Sequence, residues 1–279
     1  MKNKSITITK ASGVQDIFSS EKLKTSLKKS GADDNTIDNI LFEIESKLYD
    51  GISTKKIYQT AFSMLKKGSK SHAGRYNLKR AIMALGPSGF PFEKYIAALF
   101  EWQGYKVQTQ LFLKGACVTH EIDVLGEKDD HFLLTECKYH NSLGIVSNVK
   151  IPLYIHSRYR DVLSNWHNTS TKPLKCCVVT NTKFSGDAIQ YGVCAGLQLL
   201  GWDYPYNKSL SNLIDESGLY PITCLSSLTN KEKDLLLTEG FVLCKELLMR
   251  ENIFDKMGIS SNRITAILSE VTSLCNAEK

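Results

Sequence analysis

Phe132-Leu133-Leu134-Thr135-Glu136-Cys137-Lys138-Tyr139 is the stretch from which the rest of the chain is read. It predicts a β-strand, and side chains on a strand alternate between faces. Glu136 and Lys138 then share one face, and Cys137 points to the other. Residues 120–126 predict the preceding strand, with Asp123 between Ile122 and Val124. The turn Glu127-Lys128-Asp129-Asp130 joins the two, so that Asp123, thirteen residues before Glu136, comes back beside it. Two carboxylates and one ammonium therefore gather near the end of a hairpin.

Outward from this hairpin, a helix is predicted over 92–103, because Phe92, Ile96, Leu99 and Phe100 fall at helical spacing. Gly104 stops it, and a strand follows over 106–113. Downstream come a helix over 148–166, a buried strand over 175–180 and a helix over 187–200. Helix, three-strand meander, helix, strand, helix makes an α/β core spanning 90–203. Gly86-Pro87-Ser88-Gly89-Phe90-Pro91 packs two glycines and two prolines into six residues and reads as a linker. A softer boundary falls at 203–207. Ahead of the linker, residues 1–86 read as a mainly helical domain with a small N-terminal β-hairpin. Ile6 and Ile8 alternate with Thr7 and Thr9, a second short strand covers 14–18, and helices are expected at 21–29, 34–48, 54–66 and 73–85. The last segment, 207–279, reads as helical, with a helix, glycine turn and short hairpin over 213–222.

The chain has 279 residues, which suits two or three domains, and its 42% hydrophobic and 23% charged residues are a globular balance. No apolar run approaches the roughly 18 residues of a membrane span, and the first residues lack the apolar core of a signal peptide. A cytoplasmic location is the expectation. The eight cysteines are scattered and form no Cys-x-x-Cys pair, so reduced buried thiols are expected rather than zinc ligands or disulfides. The net charge of +6 permits contact with a polyanion without requiring it.

Asp123, Glu136 and Lys138 suit phosphodiester cleavage. Two carboxylates hold Mg²⁺, which prefers oxygen ligands and keeps several waters. A nearby lysine orients or deprotonates a water and neutralises charge on the phosphate. Glu93, off the apolar stripe of the 92–103 helix, is placed to complete the metal shell, although Glu101 on the same helix is not excluded. The competing reading is a surface ion pair on an amphipathic strand. Against it stands the position of both carboxylates within apolar strands, where an unpartnered charge is costly. His120 and His140 flank the site; His140 is either a water- or phosphate-contacting group or a solvated strand end.

Phe92-Glu-Lys-Tyr-Ile-Ala-Ala-Leu-Phe-Glu-Trp-Gln-Gly-Tyr-Lys-Val107, Glu121-Ile-Asp-Val124, Glu136-Cys-Lys138 and Val178-Val-Thr-Asn-Thr-Lys-Phe-Ser-Gly-Asp-Ala188 resemble the Mrr-like branch of the PD-(D/E)xK nucleases. The resemblance covers roughly residues 90–203. It implies a restriction-endonuclease-like core, a mixed sheet flanked by helices, and Mg²⁺- or Mn²⁺-dependent DNA cleavage. Glu93, Asp123, Glu136 and Lys138 take the catalytic places, and Asp123 and Glu136 the metal. Many members carry glutamine where this chain has Glu136.

Ile8-Thr-Lys10, Gly13, Phe18, Glu21-Lys-Leu23, Asp50-Gly-Ile-Ser-Thr54 and Arg75-Tyr-Asn-Leu-Lys-Arg-Ala-Ile82 resemble the ATP-cone, the allosteric domain at the front of many ribonucleotide reductases. This implies that residues 1–86 bind ATP or dATP through Lys10, Asp16, Lys22 and Thr54. Lysines meet phosphates as point charges, and the start of a helix at Thr54 favours an anion. Lys10-Ala11-Ser12-Gly13 replaces the family's Lys-Arg-Asp-Gly, so one basic contact is missing. There is no Walker A motif, so the expectation is sensing without hydrolysis.

The tail is either a helix-hairpin-helix-like DNA-gripping element or a helical packing and oligomerisation element; its charges, such as Lys231, Glu232, Lys233 and Asp234, are mixed. Two functions follow, besides an RNA-directed or repair nuclease that shares the chemistry of the first and differs only in substrate. One is a homo-oligomeric, nucleotide-gated endonuclease acting on DNA, in bacterial defence against foreign DNA. The other is a nucleotide-responsive DNA-binding regulator with an inert nuclease core.

Overall fold

The computed structural model describes residues 6–276. The chain is α/β and divides into two compact units: residues up to Ala81 together with those from Tyr220 onward, and Ile82–Leu219.

In the first unit, β1 (Thr7–Thr9) pairs antiparallel with β2 (Gln15–Ile17). After α1 (Ser20–Lys29) and α2 (Asp34–Glu45), β3 (Ile52–Ser53) pairs parallel with β1, a strand the alternation did not foretell. Then come α3 (Thr54–Gly68), α4 (Lys70–Tyr76) and α5 (Leu78–Met83). Ser19, Asp33, Ser53 and Ser69 cap α1 to α4 by accepting amides of the first turn. Leu27, Ile37, Ile40, Ile44, Ile57 and Leu65 form the core between these helices. The single helix expected over 73–85 is two helices. Ser69 starts the first one early, and Asn77, whose side chain accepts the Tyr58 hydroxyl, closes it.

The first element lying wholly in the second unit is α6 (Phe90–Trp102), so the expected linker is shorter than 86–91. Pro91 stands in the first turn of α6, where a proline's missing N–H costs nothing. β4 (Lys106–Lys114), β5 (Thr119–Glu127) and β6 (Phe132–Lys138) form the antiparallel meander. β7 (Val146–Ser147) and α7 (Lys150–Asn165) lead to β8 (Leu174–Thr180), which runs parallel to β6. β9 (Lys183–Phe184) pairs with β7, and α8 (Gly186–Cys194) follows. The helix expected to run to 200 stops there. Gly196 takes a left-handed φ of 70°, and β10 (Gln198–Leu200) joins the sheet beside β8. The five-stranded sheet has the order β10-β8-β6-β5-β4. Alternation sends Leu134, Cys176 and Val178 toward α7 and α8, and Leu133 and Cys177 toward Phe100 of α6. The central strands are thus buried on both faces, which is why they read as continuous apolar runs. α9 (Leu210–Ser217) packs on α6, and the Tyr95 hydroxyl donates to the Leu219 carbonyl at 2.5 Å. The soft boundary at 203–207 is therefore interior to this unit.

α10 (Asn230–Thr238), α11 (Glu246–Met249), α12 (Ile253–Lys256) and α13 (Ser261–Cys275) complete the chain. The segment 207–279, expected as one helical C-terminal region, falls across the two units, and its larger part belongs to the first. α13 packs on α4, and the Thr223 hydroxyl donates to the Ala81 carbonyl at 2.7 Å. Glu270, 3% exposed on α13, accepts the Ser226 and Ser227 amides at 2.7 and 2.9 Å. No disulfide joins the cysteines; Cys176, Cys177, Cys224 and Cys244 are buried, whereas Cys117 and Cys194 are exposed, unlike the buried thiols expected. No helix among the described residues is long and apolar enough to cross a membrane.

Candidate active site

Four elements of the second unit converge where β5 and β6 part. The last regular pair between them is Val124 with Thr135, so one step further brings Asp123 opposite Glu136. On its other side Asp123 faces Gln110, where β4 takes a positive φ of 52° and regular pairing is interrupted. A non-glycine residue there is unusual and marks a local kink. The Asp123 carboxylate accepts the Cys137 amide of β6 at 2.6 Å.

Glu136 is 6% exposed. Its Oε2 accepts the Arg158 guanidinium of α7 at 2.7 Å. Its Oε1 is buried and has no hydrogen-bond partner. Burial and the Asp123 charge push the Glu136 carboxyl up to about 8, outweighing the opposite pull of Arg158. Glu93, half-buried in the first turn of α6, is pushed up to about 7 by burial and by the charges of Asp123 and Glu121. Asp123 is raised as well, chiefly by burial. The three carboxyls thus share one poorly hydrated neighbourhood and oppose one another's ionisation. Glu101, two turns along α6, is exposed.

The wall around Glu93 is fixed by Tyr139, whose hydroxyl donates to the Met83 carbonyl at 2.6 Å and whose ring packs on Phe92. A Cβ on Gly89 would stand 3.0 Å from Glu93 Oε1, so the glycine leaves room for that carboxyl. Lys138 is exposed at the end of β6, and its charge helps hold His140 below the usual imidazole range, after burial. The cation in contact with Glu136 is Arg158, which nothing in the sequence singled out. His140 is not a free strand end. Its backbone N–H and C=O are both taken by the Asn181 side chain, at 2.9 and 2.7 Å, and its Nε2 lies 3.0 Å from Ser147 Oγ. His120 is engaged by Asp161 at 2.8 Å.

A metal implied by the nuclease resemblance finds suitable chemistry here: hard oxygen donors, mutually repelling carboxyls and an orphaned buried oxygen on Glu136. Among the described residues, no three His, Cys, Asp or Glu side chains stand as a ready-made cage, so the donors that fit are the two strand carboxylates with water completing the shell.

In the first unit, Lys10 and Asp16 form an exposed ion pair at 2.6 Å, and Lys22 adds a smaller share to the lowering of the Asp16 carboxyl that Lys10 dominates. Thr9 pairs with Ser53 across β1 and β3, so Lys10 and Thr54 follow the same rung. Ser53, not Thr54, caps α3.

Residues 220–275 match the AF1548-like, C-terminal family. An uncharacterised protein of Archaeoglobus fulgidus is 33% identical over 176 residues, which is 63% of this chain and 97% of the relative. The crystal structure of a protein of unknown function, AF1548, is 30% identical; it aligns over 68% of this chain and the whole of that one, with a TM-score of 0.56. This chain therefore belongs to the AF1548-like family.

Proposed function

We propose that the second unit is a metal-dependent endonuclease of restriction-endonuclease-like arrangement, hydrolysing phosphodiester bonds in DNA, and that the N-terminal part of the first unit is an ATP- or dATP-binding regulator. The observation that carries the reading is the convergence of Glu93, Asp123 and Glu136 around a buried Glu136 oxygen without a partner. Unsatisfied buried oxygens are rare, and one within an acidic cluster calls for a cation. The order α6, meander, α7, β8, α8 supports the arrangement.

In this reading Asp123 and Glu136 bind Mg²⁺ or Mn²⁺. When bound, the ion supplies Lewis-acid polarisation of the phosphate and a more acidic water. Glu93, pushed up to about 7, holds or releases a proton near neutral pH. Lys138, exposed at the strand end, meets the phosphate or the attacking water. Lys10 and Lys22 meet the nucleotide phosphates, with Asp16 holding Lys10 in place. Nucleotide exerts control through different affinities for active and inactive states, for which a change in homo-oligomer is the expected vehicle.

The test is cleavage of supercoiled plasmid by wild type, Asp123→Ala and Lys138→Ala, with Mg²⁺, with EDTA, and with ATP or dATP. Cleavage that needs the metal and both side chains supports the reading. If no condition gives cleavage while nucleotide still binds, the protein is a nucleotide-responsive regulator and the carboxylates are a relic.

A further inference from the structure

We infer that Arg158 is the positioning residue of the carboxylate site, fixing which oxygen of Glu136 is left to take a divalent cation. The inference rests on the metal-site reading above and adds a residue to it. The guanidinium is held at two points: Nη1 on Glu136 Oε2 at 2.7 Å, and Nη2 on the Glu121 carbonyl. A planar fork held twice has little freedom left, and it holds the Glu136 carboxylate in one rotamer. The oxygen it does not take, Oε1, is the buried atom without a partner. Arg158 and Glu136 side chains are 19% and 8% exposed, so water does not compete effectively for either.

The helix that carries Arg158 is itself pinned along the β4–β5 hairpin. One turn on, Asp161 accepts the Cys117 and Val118 amides at 2.8 and 3.2 Å and engages His120 at 2.8 Å. One turn further, Asn165 donates to the Lys114 carbonyl at 3.0 Å. Three side chains of α7 at i, i+3 and i+7 thus fix the same hairpin that carries Asp123. Arg158 is the member of the row that reaches the carboxylates. A lysine there is a point donor, able to hold Glu136 or the Glu121 carbonyl but not to bridge both in one plane.

The experiment measures Mn²⁺ binding, by loss of the free-ion electron paramagnetic resonance signal, in wild type, Arg158→Gln, Arg158→Lys, Glu136→Gln and Asp123→Asn. Removing an orienting partner of a metal ligand costs about ten- to a hundredfold in affinity. Arg158→Gln is expected to bind at least about tenfold more weakly than wild type, and Arg158→Lys to fall between. Binding by Arg158→Gln as tight as wild type, or tighter, means that the guanidinium only competes with the ion, and overturns the inference. If Arg158→Gln does not fold, Arg158→Lys decides alone: weakened binding with an unchanged unfolding midpoint supports the inference, and wild-type affinity overturns it. If Glu136→Gln and Asp123→Asn bind Mn²⁺ as wild type does, the metal-site reading itself has failed, a result distinct from failure at Arg158 alone.

Discussion

Replacing Glu136 by glutamine keeps its shape and removes its charge, and the structure fixes the sign of the effect. In the fold this carboxyl is held at about 8, up from an ordinary 4.5, by burial first and the Asp123 charge second. The folded chain therefore binds that proton more tightly than the unfolded chain does. The stability so contributed is fully present below about pH 4.5 and is lost as pH rises to about 8. At about 1.4 kcal/mol per pH unit, the whole span is on the order of 3–5 kcal/mol. Asp123 and Glu93 titrate with Glu136, so on the order of 2–3 kcal/mol is the share a single substitution recovers. In EDTA, Glu136→Gln is expected to be about 2 kcal/mol more stable than wild type at pH 8.5, with a flatter profile between pH 5 and 8.5. Urea titration followed by tryptophan fluorescence measures this directly, because Trp102, Trp166 and Trp202 all belong to the second unit. A wild-type stability that is flat or rising over that range, or a mutant less stable at pH 8.5, would refute the electrostatic account of the site.

Glu270→Ala leaves the Ser226 and Ser227 amides without their acceptor inside the first unit. It is expected to cost about 2–4 kcal/mol, read by urea denaturation in far-ultraviolet circular dichroism; a loss below about 0.5 kcal/mol would show that the α13 contact is dispensable. Lys10→Ala combined with Lys22→Ala should weaken ATP or dATP binding by about tenfold or more in calorimetry, without moving the unfolding midpoint, since both lysines are exposed. Unchanged affinity would place the nucleotide elsewhere or deny it a site. Lys138→Ala should abolish plasmid cleavage while leaving Mn²⁺ affinity near wild type, because Lys138 stands at the exposed strand end; a large loss of metal affinity would give it a different role.

The sequence by itself determined what depends on neighbours along the chain. Alternation through Ile122-Asp123-Val124 and Thr135-Glu136-Cys137, with a four-residue turn between, was enough to bring the two carboxylates together. Helical spacing was enough to place Glu93 on α6. In the structure Ser19, Asp33, Ser185 and Ser209 each cap a helix within one turn of where they stand in the chain. What only the tertiary structure decided lies farther apart. β10 is a strand because β8 offers it an edge, not because Gln198-Leu199-Leu200 differs from the end of a helix. The tail joins the first unit because Glu270 finds two amides more than forty residues away. Arg158, halfway along α7, reaches Glu136 across 22 positions. No local pattern encodes such a pairing, because it depends on where α7 lies against the sheet. Carboxylates close in sequence are legible as a motif; the guanidinium that meets one of them is set by packing, and appears only when the chain is folded.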